Sequence, residues 1–197
     1  MNTENKNTKT KQCTIQRVMH TPFSHLMVDI ETMGTKSNSA IISIGAVEFD
    51  INTGNTGREF YRNISLKSSV DLGLNIDAST VMWWMSQSDE ARKSLSKEEP
   101  ISIKQALLDF SEFCNKEYQI WGNSASFDLG IMADAYAKTH FDIPWDFRKE
   151  RCVRTLVSFK PEIKKQLEFN GTAHNALADC YHQIKYCSKT WLSLGCA

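Results

Sequence analysis

The chain has 197 residues, 41% of them apolar and 23% charged, and its 23 basic and 23 acidic side chains leave no formal net charge. These values are typical of a globular domain that buries a core without disulfides or structural metals, and any nucleic-acid site would have to be local. The six cysteines show no C-x-x-C pair, and no apolar run has the length of a signal sequence or a membrane span, so we expect a cytoplasmic protein with free thiols.

The N-terminal segment differs in composition from the rest of the chain. Residues 1–22 are rich in Asn, Thr, Lys and Gln and offer little to bury, which predicts a mobile arm. Residues 23–197 contain no internal repeat and no linker, which indicates a single domain.

Three strands are predicted next, and they are expected to form an antiparallel meander. The first ends at Glu31, the second spans residues 40–49, and the third spans residues 58–64. The segment 52–57 is rich in Asn, Thr and Gly, which is a strong hairpin signal between the second and third strands.

The remaining chain combines helical periodicity with one more short strand. Thr80 is predicted to cap a helix over residues 81–92, and Ser126 is predicted to cap a helix over residues 127–138. Other helices are predicted over residues 102–114, 150–159 and 175–194, and a buried strand over residues 119–123. This order predicts an α/β fold in which helices flank a mixed sheet.

The segment from Leu26 to Gly34 places two carboxylates, Asp29 and Glu31, in a short apolar strand. Side chains alternate along a strand, so the two carboxylates point the same way while their apolar neighbours point into a core. Two adjacent like charges are unfavourable unless a cation lies between them. The pattern indicates a metal site, and the alternative is a solvated acidic pair at a sheet edge.

Two later segments carry further candidate residues. Asp128 lies at the start of a helix that follows a buried strand, where sites in open α/β sheets gather, although a helix-capping role explains this residue better when it is taken alone. His174 comes just before the last helix and Asp179 lies within it. The two converge only if His174 lies in the preceding loop, and the alternative is an exposed histidine at a polar helix start.

Together these motifs resemble a known enzyme family. Asp29-x-Glu31, Asp128 after Asn-Ser-Ala-Ser-Phe, and His174-x4-Asp179 match the DEDDh (DnaQ-like) 3′→5′ exonucleases of the ribonuclease-H-like superfamily in order and residue type. The resemblance spans residues 25–194. The helix with two tryptophans and the compact length look like the phage and prophage exodeoxyribonucleases and related small bacterial exoribonuclease-like proteins.

The resemblance implies a mechanism and a substrate. Asp29, Glu31, Asp128 and Asp179 are expected to bind two Mg²⁺ ions, for which Mn²⁺ is expected to substitute. His174 is expected to act as the general base that deprotonates the attacking water. The implied substrate is the 3′ end of a single-stranded nucleic acid, with DNA favoured over RNA, and the product is a nucleoside 5′-monophosphate. Whether the chain acts alone or as a homodimer stays open.

Nucleotide contacts are expected around the first acidic motif. Thr32, Met33 and Gly34 are expected to hold the terminal nucleotide, with Met33 against its base. Trp83 and Trp84 offer stacking surfaces, of which only one is expected to face the substrate because adjacent helical residues diverge. The remaining predicted contacts are Asn123 and Phe127.

Two rival functions are compatible with this fold. A catalytically silent module that binds nucleic acid or protein would not need the intact acids and His174. An endonuclease of the ribonuclease H type would leave the histidine five residues before Asp179 unexplained. We therefore predict a 3′→5′ exonuclease.

Overall fold

Five strands form one mixed sheet in the computed structural model, which describes residues 23–95 and 99–195. The predicted arm, residues 1–22, lies outside the described residues. The strands are β1 (His25–Thr32), β2 (Ile41–Phe49), β3 (Thr56–Asn63), β4 (Gln119–Gly122) and β5 (Glu150–Cys152). Their order across the sheet is β3-β2-β1-β4-β5, with antiparallel pairing among the first three and parallel pairing of β4 with β1 and β5. The predicted meander and mixed sheet are confirmed.

Helices cover both faces of this sheet. In the described part of the chain they are α1 (Leu66–Asp71), α2 (Ala78–Met85), α3 (Asp89–Ser94), α4 (Ile103–Phe113), α5 (Ala125–Thr139), α6 (Val153–Val157), α7 (Pro161–Lys165) and α8 (Ala176–Ser193), with a 3₁₀ turn at Phe147–Lys149. Apolar residues of α4 and α5 pack on one face, and those of α6, α7 and α8 pack on the other.

Strand β1 is buried on both faces, so its side chains divide between two cores. Val28 and Ile30 pack in the core formed with α4 and α5, whereas Met27 packs in the core formed with α6 and α8. By strand alternation, Asp29 and Glu31 share the face of Met27. The two carboxylates therefore face the side of the sheet that α8 covers.

The segment predicted as one helix over residues 81–92 forms two helices instead. Asp77 caps α2, because its carboxylate accepts a hydrogen bond from the backbone N–H of Ser79 at 2.9 Å, so the predicted cap at Thr80 is wrong. Ser88 caps α3, and its hydroxyl accepts a backbone N–H three residues further on at 3.2 Å. Serine side chains that bind nearby backbone in this way favour caps over helix interiors, which explains the break.

Further elements differ from the prediction, which lacks α1. The N-cap of α5 is Ser124, so the predicted cap at Ser126 is wrong. Residues 150–152, predicted as helical, form β5 because they pair with β4 at the sheet edge. The prediction also lacks α7, which begins with Pro161 at a position where a missing N–H does no harm.

Four of the six cysteines lie in the described residues. Cys114, Cys152, Cys180 and Cys187 are free thiols, as predicted. Within residues 23–95 and 99–195, no helix combines the length and the apolar character needed to cross a membrane.

Candidate active site

Asp29 and Glu31 lie near the end of β1, at the sheet edge toward which both β1 and β4 run. Their side chains are almost fully buried, with exposed fractions of 9% and 8%. The register between β1 and β2 shifts between Glu31 and Thr32, so regular pairing stops immediately after the second carboxylate. Such irregularities are frequent beside active sites because they redirect side chains.

Helix α5 brings Asp128 to the same edge. Asp128 lies in the first turn of the helix, is 2% exposed, and accepts the backbone N–H of Ser124 on its Oδ2 atom at 3.2 Å. Gly122 ends β4 and makes this position possible, because a Cβ atom there would lie 2.9 Å from Oδ2 of Asp128. The third predicted acid is therefore held against the end of β4.

Helix α8 supplies the last two predicted residues. Its N-cap is Asn175, which puts His174 in the preceding loop and Asp179 in the first turn. The sequence required this arrangement for the two side chains to converge. His174 adopts a φ of 61°, which is uncommon for a residue other than glycine and is often found where function fixes the backbone.

Three of the carboxylates form a compact cluster. Asp29, Glu31 and Asp179 have oxygen atoms that all lie within 4.8 Å of one another. Burial raises the pKa of Asp29 well above its usual range, and the charges of Asp128, Glu31 and Asp179 raise it further. Burial, with the charges of Asp179 and Asp128, raises the pKa of Glu31 to about 8. Burial also raises the pKa of Asp128 to about 7.

The pKa of Asp179 shows how the histidine loop bears on the cluster. Burial raises this pKa, while the charge of His174 and hydrogen bonds from the backbone N–H groups of His174 and Asn175 lower it in part. Asp179, like Asp128, therefore receives partial compensation from backbone hydrogen bonds at the start of its own helix.

The chemistry of this cluster fits a divalent metal centre. The charges of neighbouring carboxylates raise the pKa of Asp29 and of Glu31, and a cation between the acids would relieve this repulsion. Their donor atoms are all oxygens, which hard divalent cations prefer. The residues predicted as metal ligands are thus brought together with the donor set that such an ion requires.

One polar contact of the cluster is absent from the sequence-based prediction. Gln183 donates its Nε2 hydrogen to Oδ1 of Asp29 at 2.7 Å, from a side chain that is 4% exposed. The spacing in the sequence could have indicated this contact, because Gln183 follows Asp179 by four residues and so lies on the same face of α8. This hydrogen bond favours the charged form of Asp29 against the effect of burial.

An aromatic cavity of about 450 Å³ opens beside Glu31, between the end of β1 and α2. Of the predicted nucleotide contacts, its lining contains Thr32, Gly34, Trp83, Trp84 and Phe127. Trp84 is buried and donates its indole N–H to the carbonyl of Thr32 at 3.0 Å, which anchors α2 to the end of β1. Trp83 is 41% exposed and presents the larger accessible surface.

Trp83 also contacts the predicted general base. Its ring centroid lies 4.7 Å from that of His174, and the ring planes are nearly perpendicular at 79°. His174 therefore lies between the aromatic cavity and Asp179, whose carboxylate its backbone binds.

Two predicted nucleotide contacts lie outside the aromatic cavity. Met33 packs against the core formed with α4 and α5 and is absent from the cavity lining, so its place against the terminal base stays a prediction. Asn123 follows β4 and lines a different groove, of about 510 Å³, together with residues of α6, α7 and α8.

Comparison with known proteins identifies sequence relatives. The family model described as the 3′-5′ exoribonuclease Rv2179c-like domain matches residues 24–191. The exodeoxyribonuclease of Enterobacteria phage T4 is 30% identical over 193 residues, which cover 80% of this chain and 85% of the phage protein.

Solved structures share the fold at low sequence identity. The zinc-bound E. coli ExoI–ssDNA complex aligns with a TM-score of 0.64 at 16% identity, over 87% of this chain but only 41% of that one. The nuclease domain of 3′hExo, a DEDDh family member bound to rAMP, aligns with a TM-score of 0.58 at 10% identity, over 89% of this chain and 94% of that one. The fold is therefore shared with solved exonucleases such as 3′hExo, and the chain belongs to the 3′-5′ exoribonuclease Rv2179c-like family and is a 3′-5′ exonuclease.

Proposed function

We propose that residues 23–197 form a single exonuclease domain that removes nucleoside 5′-monophosphates from the 3′ end of single-stranded nucleic acid, with DNA as the preferred substrate. The observation that carries this proposal is the assembly of Asp29, Glu31 and Asp179 within 4.8 Å, directly beside an aromatic cavity. A catalytically silent binding module would gain nothing from burying acids that repel one another.

DEDDh exonucleases depend on divalent metal ions, and the buried acids would hold two of them. Asp29, Glu31, Asp128 and Asp179 are the ligands, and Mg²⁺ is the proposed ion because every donor is an oxygen. When bound, the ions neutralise charge on the scissile phosphate and lower the pKa of the attacking water. Mn²⁺, which accepts the same ligands, would substitute.

His174 accepts the proton of the attacking water in this proposal. Its loop position beside Asp179 keeps the imidazole at the edge of the carboxylate cluster, outside the set of ligands. Contact with the Trp83 ring restricts the orientation of the imidazole. Histidine is the side chain best suited to proton transfer near neutral pH.

The aromatic cavity takes the terminal nucleoside. Trp83 offers a ring face for an unpaired base, which favours single strands because a base in a duplex is already stacked. Trp84 and Phe127 complete the apolar wall, and Thr32 and Gly34 line the part of the cavity next to Glu31, where the sugar would lie.

The sequence relatives provide the argument for DNA over RNA as the preferred substrate. The T4 protein, an exodeoxyribonuclease, supports DNA. RNA is the second candidate, because the family model is described as an exoribonuclease-like domain. The free thiols of Cys114, Cys152, Cys180 and Cys187 suit the reducing cytoplasm, where we place the activity.

Parallel digestion of single-stranded DNA and RNA of matched sequence tests this proposal. With Mg²⁺, we expect nucleoside 5′-monophosphates from both and a higher kcat/KM on DNA. A higher kcat/KM on RNA would favour the second candidate. Absence of monophosphate release from both substrates, with Mg²⁺ or Mn²⁺, would contradict the proposed activity.

A further inference from the structure

A second groove lies on the α8 side of the carboxylate cluster. Its volume is about 510 Å³, and we call it the basic groove because three cationic side chains line it. The lining residues that matter are Asn123 after β4, Arg154 on α6, Lys164 and Lys165 on α7, and Tyr186 on α8.

Six other basic residues of the described chain are paired with carboxylates, whereas the cations of the basic groove are not. Arg58, Arg62, Lys67, Arg92, Arg148 and Lys149 each form an ion pair with a carboxylate. Among the described residues, Arg154, Lys164 and Lys165 form none, and no carboxylate belongs to the groove lining. All three are exposed, so the groove concentrates positive charge in a chain with no net charge.

The basic groove adjoins the carboxylate cluster at Asn123. The carbonyl of Asn123 accepts the backbone N–H of Arg154 at 3.0 Å, and the next residue, Ser124, binds Asp128 through its own N–H. Lys164 lies over the ring of Tyr186, with 5.0 Å between its Nζ atom and the ring centroid.

The two openings have different chemistry. The aromatic cavity beside Glu31 is walled by tryptophan and phenylalanine rings, which suits a base. The basic groove contains three side chains that can bind phosphate, and it adjoins Asp128 through Asn123 and Ser124. A strand whose scissile phosphate lies at the carboxylates needs one opening for its last nucleoside and another for the rest of its backbone.

We propose that the basic groove binds the phosphodiester backbone on the 5′ side of the scissile bond, through Arg154, Lys164 and Lys165. This inference rests on the proposed function, because only an exonuclease substrate has a strand that continues in one direction from the site. The contacts are electrostatic and involve no base edges, so they act on any sequence. They hold the strand between cleavage steps, and the aromatic cavity holds the nucleoside that is removed.

Two substrates can distinguish an effect on backbone binding in the basic groove from an effect on catalysis at the carboxylate cluster. Thymidine 5′-monophosphate p-nitrophenyl ester has a nucleoside and one phosphate but no upstream backbone, whereas a single-stranded DNA oligonucleotide has both. We would compare wild type with Lys164→Gln/Lys165→Gln, and with Arg154→Gln as an independent variant on another helix. The matched control is Lys104→Gln/Lys116→Gln, which removes two exposed lysines that lie outside the groove lining.

For Lys164→Gln/Lys165→Gln, we expect a several-fold higher KM on the oligonucleotide with unchanged kcat, and unchanged kcat/KM on the ester. The slope of log KM against log salt concentration should fall by about 1.4, since each phosphate contact on a single strand contributes about 0.7. Arg154→Gln should reduce the slope by about half as much. The control double variant should match wild type on both substrates.

Two results would contradict the proposal that the basic groove binds the phosphodiester backbone. One is a wild-type KM and salt slope on the oligonucleotide for Lys164→Gln/Lys165→Gln and Arg154→Gln alike. The other is an equal loss on the ester, which would place these cations at the catalytic cluster. If the wild-type protein hydrolyses neither substrate with Mg²⁺ or Mn²⁺, the proposed function itself is contradicted. The proposed role of the basic groove then fails as well.

Discussion

At the scale of single residues, the raised pKa of Glu31 gives the metal-free protein an unusual dependence on pH. In the unfolded chain this carboxyl ionises near its ordinary value of 4.5, whereas in the folded protein its pKa is about 8. Between these values the folded protein binds more protons than the unfolded chain. The free energy of unfolding therefore falls as pH rises through this window.

In EDTA, we expect the melting temperature of the wild-type protein to fall from pH 6 to pH 8, and to fall less for Glu31→Gln. Added Mg²⁺ at pH 8 should raise the wild-type melting temperature, because it binds the folded state and relieves the repulsion. Thermal melts with and without EDTA measure both effects. Equal pH slopes for the two proteins would mean that Glu31 ionises normally in the folded state.

A substitution of His174 can remove the base without disturbing the backbone. Asparagine tolerates the left-handed conformation that His174 adopts, with φ of 61°, so His174→Asn is a better choice than alanine. We expect kcat to fall by about 10²–10⁴-fold. Mg²⁺ affinity by calorimetry should be unchanged. A kcat close to that of wild type would remove His174 from proton transfer.

The acids and the histidine were predicted to form one site because their motifs resemble those of an exonuclease family, and each motif is short enough for local structure to set its spacing. Asp29 and Glu31 share a strand face, and Asp179 follows the N-cap of its helix, so each pair needs no knowledge of distant contacts. The hydrogen bond from Gln183 to Asp29 joins residues 154 positions apart, and the inward packing of Met33 depends on other helices. Such features follow from tertiary packing, which residue spacing alone does not determine.

At the scale of elements, the packing of α8 on the sheet depends on Gly45 of β2. Gly45 lies opposite Asp29 in the strand register, and a Cβ atom there would lie 2.6 Å from the backbone carbon of Ala176. Cys180 packs in the same interface, with its thiol 3.5 Å from the carbonyl of Gly45. The start of the helix that carries Asp179 is therefore placed directly against the sheet.

Gly45→Ala should displace the start of α8 and lower the free energy of unfolding by about 1–3 kcal/mol, as overpacking does. It should also weaken Mg²⁺ binding, because Asp179 moves with the helix. Urea unfolding in EDTA and calorimetry measure these effects. The control is Gly130→Ala on α5, where the nearest atom is 4.0 Å away and a gain of about 0.5–1 kcal/mol is expected. Wild-type stability and Mg²⁺ affinity in Gly45→Ala would contradict this role.

Element types were easier to predict than element boundaries. Strands β1 to β3 followed from alternation and from the hairpin signal, which are local. The break between α2 and α3 depends on competition between serine caps and helix continuation, a balance of small free energies. Strand β5 has three residues and exists because β4 offers an edge to pair with.

At the scale of the whole molecule, the sheet brings together residues from distant parts of the chain at one edge. The aromatic cavity opens on one side of the carboxylates and the basic groove on the other. In the proposed function, the strand passes through the groove and its last nucleoside enters the cavity. The order of the acidic motifs along the chain was sufficient to predict the cluster, but both openings are formed by several helices and required the structure.

The most direct test of this account is the digestion of a 5′-labelled single strand by wild type and Asp29→Asn in Mg²⁺. For wild type, we predict a ladder that shortens stepwise from the 3′ end, with release of nucleoside 5′-monophosphates. For Asp29→Asn, we predict loss of the ladder, with a melting temperature in EDTA at pH 8 equal to or above that of wild type, because a repelling charge has been removed. Internal fragments from wild type, or an undiminished ladder from Asp29→Asn, would contradict the assignment of the carboxylate cluster as the catalytic metal site.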